Sequence, residues 1–155
     1  MARNTEPTIR RAGGADVGDM LRLVREYWDF EGVEGFDEGR VGAQLEWLLS
    51  EERLGAAWLA VDGDMPVGYL LAVYVFSLEH LGLTAEIDEF FIRPGFRGGG
   101  MGARMLRTAE QAFRQAGCTN VSLQVGRNND AGRRFWVRQG YAPRTGFELL
   151  EKTLA

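Results

Sequence analysis

Residues 92–103 read Ile-Arg-Pro-Gly-Phe-Arg-Gly-Gly-Gly-Met-Gly-Ala, and their setting admits few folds. Before them, Ala85–Ile92 alternates like a strand and is bounded by Pro94. After them, Met101–Ala116 carries Met101, Met105, Leu106, Ala109, Ala112, Phe113 and Ala116 on one helical face, with Gly117 as its stop. A strand that ends in a glycine turn and passes into a helix leaves main-chain N–H groups unpaired at the positive end of a helix dipole. Glycines remove the side chains that would block close approach. The segment is thus suited to cradle an anion such as a pyrophosphate, with Arg97 adding a full positive charge.

Other phosphate loops fit less well. A P-loop requires Gly-Lys-Ser/Thr at the helix start, and the chain has Gly-Met-Gly-Ala there. A dinucleotide fingerprint on Gly98, Gly100 and Ala103 requires an acid about 20 residues later, at the end of the next strand. That strand ends Leu123-Gln124-Val125 and carries none. A turn without a ligand is the plain alternative. Four glycines in the five positions 98–102, directly at an amphipathic helix start, weigh against it.

The remaining elements surround this segment. Thr8–Ala12 reads as a short strand. Asp16 is placed to cap a helix bearing Val17, Met20, Leu21, Val24, Tyr27 and Trp28 on one side and ending near Gly32. Asp37 opens a second helix with Val41, Leu45 and Leu48 as its stripe. Ala56–Val61 and Val67–Phe76 form a hairpin about Asp62-Gly63-Asp64, and a loop is expected over Ser77–Thr84. Val121–Val125 is a strand, Ala131–Gln139 a helix closed by Gly140, and Phe147–Thr153 a final strand. The order β-α-α-β-β-β-α-β-α-β-β gives a mixed α/β sheet in a single domain spanning residues 1–155.

Composition narrows the function. A chain of 155 residues, 45% hydrophobic and 26% charged, buries a real core. A net charge of −4 offers no basic excess for nucleic acid. The longest apolar run, Tyr69–Phe76, is too short to cross a membrane, and the polar start carries no signal-peptide pattern. One cysteine, Cys118, forms no internal disulfide and supports no polythiolate metal site, so no metal is expected and the location expected is cytoplasmic.

Arg97-x-x-Gly100-x-Gly102 resembles the acetyl-coenzyme A pyrophosphate loop of the Gcn5-related N-acetyltransferase (GNAT) superfamily. Glu89-Phe90-Phe91-Ile92-Arg93-Pro94 resembles the strand before that loop. Asn129 through Trp136 to Gly140-Tyr141 resembles the second family signature. The resemblance implies an acyl-CoA N-acyltransferase fold in which a central strand pair splays, with acetyl-CoA as co-substrate. It implies main-chain contacts to the acetyl carbonyl and pantetheine from Phe90, Phe91 and Ile92, and pyrophosphate binding by Arg97, Gly98, Gly99, Gly100, Met101 and Gly102. Asn129 and Trp136 would flank the pantetheine; Asn129 equally suits a helix N-cap. A homodimer is the expected assembly.

Two positions depart from the family pattern. Trp136 stands where many members place a tyrosine that protonates the departing thiolate, and an indole N–H is no practical acid. Tyr141 and Tyr74 are the candidates to replace it, and the alternative is that the thiolate, a tolerable leaving group near neutral pH, departs without a dedicated acid. Gln124 stands where some members place a glutamate base. The resemblance then directs the base to the acidic strand, to Glu89 first, with Glu86 and Asp88 behind it. Alternation sets Asp88 on the face opposite Glu89. An amine is mostly protonated at neutral pH, so a base or a water relay is required before attack.

The first helices and the loop before the acidic strand wall the acceptor site in this family. Here they supply Tyr27, Trp28, Phe30, Glu31 and Glu34, and then Ser77–Leu83 with Glu79 and His80. Aromatic rings beside carboxylates suit a cation, here a small cationic molecule or a lysine or N-terminal amine. His80, the only histidine, reads as a loop residue. The expected activity is N-acetyl transfer by direct attack on a primary amine bound by Tyr27, Trp28, Glu31 and Glu89. The competing reading is a non-catalytic acyl-CoA-binding or regulatory domain on the same fold, motivated by Trp136 and Gln124.

Overall fold

The computed structural model describes residues 5–154. Contacts divide the chain into two compact units, one running to Gln124 and the other starting at Val125. The first unit carries one sheet. Its strands are Thr8–Arg11 (β1), Gly55–Asp62 (β2), Met65–Ser77 (β3), Gly82–Ile92 (β4) and Val121–Leu123 (β5). They lie side by side in chain order, antiparallel from β1 to β4, with β5 parallel to β4. The parallel step requires a crossover, and the helix Met101–Gln115 (α3) supplies it. Val17–Glu31 (α1) and Glu38–Ser50 (α2) lie between β1 and β2 in sequence. The mixed α/β architecture read from the sequence is therefore present.

Alternation distributes the core to both sides of the sheet. Ala57, Leu59, Tyr69, Leu71 and Phe91 join Met20, Leu23 and Val24 of α1 and Leu45 of α2. Neighbouring positions point the other way. Trp58 meets Phe113 of α3 edge-on at 5.6 Å between ring centres, and Met105, Leu106 and Ala109 of α3 are buried with it. Asp37 caps α2 as expected, its carboxylate accepting from the Arg40 N–H at 2.8 Å. Asp16 does not cap α1 through its side chain. Its carboxylate is taken by Arg10 at 2.7 and 2.9 Å and by the Gly13 N–H at 2.8 Å, and the Arg10 bond holds it below the usual carboxylate range.

Three local differences from the sequence reading have physical causes. The expected loop over Ser77–Thr84 is mostly hairpin: the β3–β4 ladder continues to Ser77↔Gly82 around the turn Leu78–Leu81. Polar residues in that stretch masked the strand ends. A bulge interrupts the same ladder, because Leu71 pairs with Glu89 and Ala72 with Ile87, leaving Asp88 as the extra residue. Phe147–Thr153 forms no strand. It belongs to the second unit, whose one element of regular structure among the described residues is the helix Asp130–Arg138 (α4). With no strand in that unit to supply ladder bonds, Phe147, Leu149 and Leu150 stay exposed and apolar residues alone do not make a strand.

No helix among the described residues is long and apolar enough to cross a membrane. The tightest approach in the sheet lies at Gly55, where a Cβ would sit 2.0 Å from the Ala72 carbonyl oxygen. The three nearest atoms are all main chain of Ala72 and Val73, so no side chain can yield. Gly55→Ala is expected to destabilise the fold by about 1–3 kcal/mol, the usual range for overpacking. Urea unfolding checks this, and an unchanged midpoint would show that the strands separate at no cost.

Candidate acceptor and donor sites

Glu89 is held at both carboxyl oxygens. It stands on β4 opposite Leu71, on the sheet face that α1 and α2 cover. Trp28 of α1 donates its indole N–H to Glu89 Oε2 at 2.8 Å. Tyr69 of β3 donates its hydroxyl to Glu89 Oε1 at 2.8 Å. Burial raises the pKa of Glu89, the two donors pull it down, and the charge of Asp88 raises it again; the net direction is upward. The sign is that of a group shifted toward its neutral form, while two aligned donors keep its anion accessible. Tyr69 was not singled out in the sequence, where it opens the apolar run that reads as core. Its hydroxyl is driven far from ionisation by burial and by Glu89, so it acts as a donor.

The bulge corrects the expectation for Asp88. Two residues opposing one at Leu71 bring Asp88 to the same side as Glu89 instead of the opposite one. Both line a cavity of about 400 Å³ between α1, α2 and the sheet. Asp88 makes no hydrogen bond or ion pair to a described side chain, and crowding by apolar neighbours raises its pKa. The cavity walls are Val24 and Trp28 from α1, Val41, Gln44, Leu45, Trp47 and Leu48 from α2, and Leu54, Leu71, Val73 and Tyr74. A larger depression of about 600 Å³ at the β2–β3 turn shares no residue with it. The two arginines there are engaged, Arg22 with Asp19 and Arg93 with Glu26.

The other expected acceptor residues divide. Trp28 lines the cavity. Tyr27 does not; its ring packs edge-on against Tyr69 at 6.2 Å and at a tilt against Phe91 at 5.9 Å, and its pKa is pushed up to about 12, first by burial. Glu31 is exposed at the end of α1 and does not line the cavity. Glu86 is half-buried opposite Val73 and is also outside it. The Ser77–Leu83 hairpin gives no wall either: His80 Nδ1 pairs with the Ser77 hydroxyl at 2.9 Å, and Thr119 donates to the His80 carbonyl. Instead α2 closes the site. Its stripe of Val41, Leu45 and Leu48 was legible, but Gln44 and Trp47, which also line the cavity, were not singled out.

The donor side begins where the β4–β5 ladder ends. That ladder stops at Ile87↔Leu123, while β4 runs on to Ile92 beside β3. Arg93 donates to the Val67 carbonyl at 2.9 Å. By antiparallel alternation the main chain of Phe91 therefore also faces β3, and that of Phe90 and Ile92 faces the β5 edge of β4. Phe91 thus leaves the expected main-chain set; its ring is core. Arg97 bends back over the rings of Phe30 and Phe91, at 4.9 and 5.5 Å, and donates Nε–H to the Ile92 carbonyl at 2.6 Å. It anchors the loop to the end of β4 and to α1. Gly98 and Gly100 have φ of +85° and +81°, a region L side chains avoid, and no side chain caps α3. The first α3 amides, Met101, Gly102 and Ala103, precede the first intrahelical bond, Arg104 N–H to the Gly100 carbonyl. Open space lies over Gly98, Gly99 and Gly100.

In the second unit, Asn129 caps α4: its side-chain oxygen accepts from the Gly132 N–H at 2.9 Å. Trp136 packs edge-on against Tyr141 at 5.2 Å and against Phe135 at 5.0 Å.

Comparison with known proteins places these features in a family. The model of the acetyltransferase (GNAT) family matches residues 19–141. An uncharacterized N-acetyltransferase of Archaeoglobus fulgidus is 33% identical over 84% of this chain and 90% of its own length. A thialysine N-epsilon-acetyltransferase of Mus musculus is 24% identical over 76% of this chain and 73% of its own length. Among solved structures, aminoglycoside N-acetyltransferase AAC(6')-Iy in complex with CoA shares the fold, with a TM-score of 0.85 at 15% identity, covering 99% of each chain. The chain belongs to the acetyltransferase (GNAT) family and is an acetyltransferase enzyme.

Proposed function

We propose that the protein transfers an acetyl group from acetyl-CoA to a primary amine held in the α1–α2–β4 cavity, with Glu89 as the base. The observation that carries this reading is the Glu89 carboxyl group, shifted toward neutrality and held at both oxygens by Trp28 and Tyr69 while it lines that cavity. A base that is easily protonated and yet fixed in place suits removal of a proton from an ammonium ion. The residue contacts support the following sequence. An ammonium group enters between Asp88 and Glu89, which compensate its charge. Glu89 accepts one of its protons, directly or through water. The freed nitrogen lone pair attacks the acetyl carbon, the C–S bond breaks and coenzyme A leaves as thiolate. The new amide nitrogen loses its second proton to solvent. The thiolate is stable enough in neutral water to leave without a dedicated acid, which agrees with Trp136 in place of a tyrosine.

Acetyl-CoA fits the donor side. The glycine cradle with the N-terminal amides of α3 suits the pyrophosphate, and the β5 edge of β4 at Phe90 and Ile92, past the end of the β4–β5 ladder, suits the pantetheine arm. Arg97 shapes this loop through the Ile92 carbonyl and stands close enough in sequence to add charge to it. The fold relative solved with CoA supports the same donor.

Glu89→Gln is expected to lower kcat/KM for the best amine by about 10²–10⁴, the usual weight of a general base, and to flatten the rising acid limb of its pH profile. An intact limb removes Glu89 as the base. Trp28→Phe deletes a donor that favours the carboxylate, so the Glu89 pKa rises and the limb moves to higher pH. A limb that stays in place or moves to lower pH contradicts the role given to Trp28. On the donor side, Gly100→Glu is expected to abolish acetyl-CoA binding in calorimetry, whereas Gly100→Asn, which tolerates the left-handed backbone, should retain it. Undiminished binding to the Glu variant would take the loop out of the donor site.

A further inference from the structure

We infer that the acceptor is an arylalkylamine, a single primary amine on an apolar ring-bearing body, and neither an amino acid nor a polyhydroxylated amine. This rests on the reading of the α1–α2–β4 cavity as the acceptor site. Among the described residues lining that cavity, the only charged side chains are Asp88 and Glu89. No arginine, lysine or histidine lines it, so a substrate carboxylate or phosphonate finds no cation and two anions. The remaining polar side chains are the Gln44 amide, the Trp28 and Trp47 indoles and the Tyr74 hydroxyl. The Trp28 N–H is already committed to Glu89.

The walls fit a ring better than a sugar. Val24, Val41, Leu45, Leu48, Leu71 and Val73 present only hydrocarbon. Hydroxyl groups pressed against such a surface lose water without gaining partners. A volume of about 400 Å³ is ample for a two-ring amine and lies within the range of small-molecule sites. Trp47 stands at the margin with 58% of its surface exposed. A large indole left in water beside an apolar cavity is a surface waiting for a flat apolar partner. Polarity is thus segregated, with two carboxylates at the β4 end and apolar and aromatic walls elsewhere, and an arylalkylamine has the same segregation.

A matched pair isolates the charge. 2-Phenylethylamine and L-phenylalanine share one body and differ by one carboxylate. With saturating acetyl-CoA, kcat/KM for 2-phenylethylamine is expected to exceed that for L-phenylalanine, L-lysine and kanamycin by at least about 100-fold, the scale set by an unpaired group in an apolar site. Equal or higher values for any of those three overturn the inference. Calorimetry on the same amines separates the site from the chemistry. Binding of 2-phenylethylamine but not L-phenylalanine, without transfer to any amine, keeps the substrate class and overturns the proposed reaction. Failure of 2-phenylethylamine to bind overturns the substrate class. Gln44 is exposed at the cavity wall, so Gln44→Arg adds a cation with little risk to folding. It should narrow the gap between the matched pair about 10-fold or more, and an unaltered gap contradicts the electrostatic argument.

Discussion

A carboxylate set among apolar side chains must find donors or lose its charge, and Glu89 meets that demand with one donor from a helix and one from a strand. The requirement couples elements distant in sequence. Trp28 must lie on the inner face of α1, and Tyr69 must point to the same side of β3 as Glu89 does on β4. Phe91 and Tyr27 then close rings around Tyr69 at 6.5 and 6.2 Å, and Arg93 fastens the end of β4 to Glu26 of α1 with a bidentate pair at 2.7 and 2.9 Å. The same end of β4 holds Arg97, and through it the glycine loop. Acceptor and donor features are therefore built on one strand.

The bulge at Asp88 gives that strand its two roles. Without it, Asp88 would point toward α3, and the cavity would hold one carboxylate. With it, Asp88 and Glu89 share a side; burial raises the pKa of each, and the charge of Asp88 adds to the rise at Glu89. The ladder to β5 ends at Ile87, immediately before the bulge. One extra residue thus coincides with both the pairing of the acids and the end of the β4–β5 ladder.

Periodicity made the elements legible, because burial imposes it. The stripes of α1, α2 and α3, the β2–β3 hairpin and the glycine turn into α3 all stand where apolar spacing and turn residues put them. Features set by contacts between distant segments were less legible. Glu89 was recognised as an acid near the splayed segment, but its partner Tyr69 looked like any aromatic in a buried strand. Asp88 was assigned to the wrong face because a bulge depends on the partner strand's register, which local alternation does not encode. Glu31 and the Ser77–Leu83 segment were expected at the acceptor wall, which α2 forms instead. Phe147–Thr153 carries apolar residues enough to suggest a strand, yet a ladder needs a neighbour that the local sequence does not provide.

The central claim concerns one carboxyl group, and it can be observed without substrate. Carbon-13 NMR of selectively labelled glutamate, with Glu89→Gln assigning the resonance, follows its titration in the ligand-free protein. The account predicts a midpoint above the ordinary glutamate value, since burial and Asp88 outweigh the two donors. A midpoint at or below the ordinary value would contradict it, because Glu89 would then be a settled structural anion and not a group poised to take a proton.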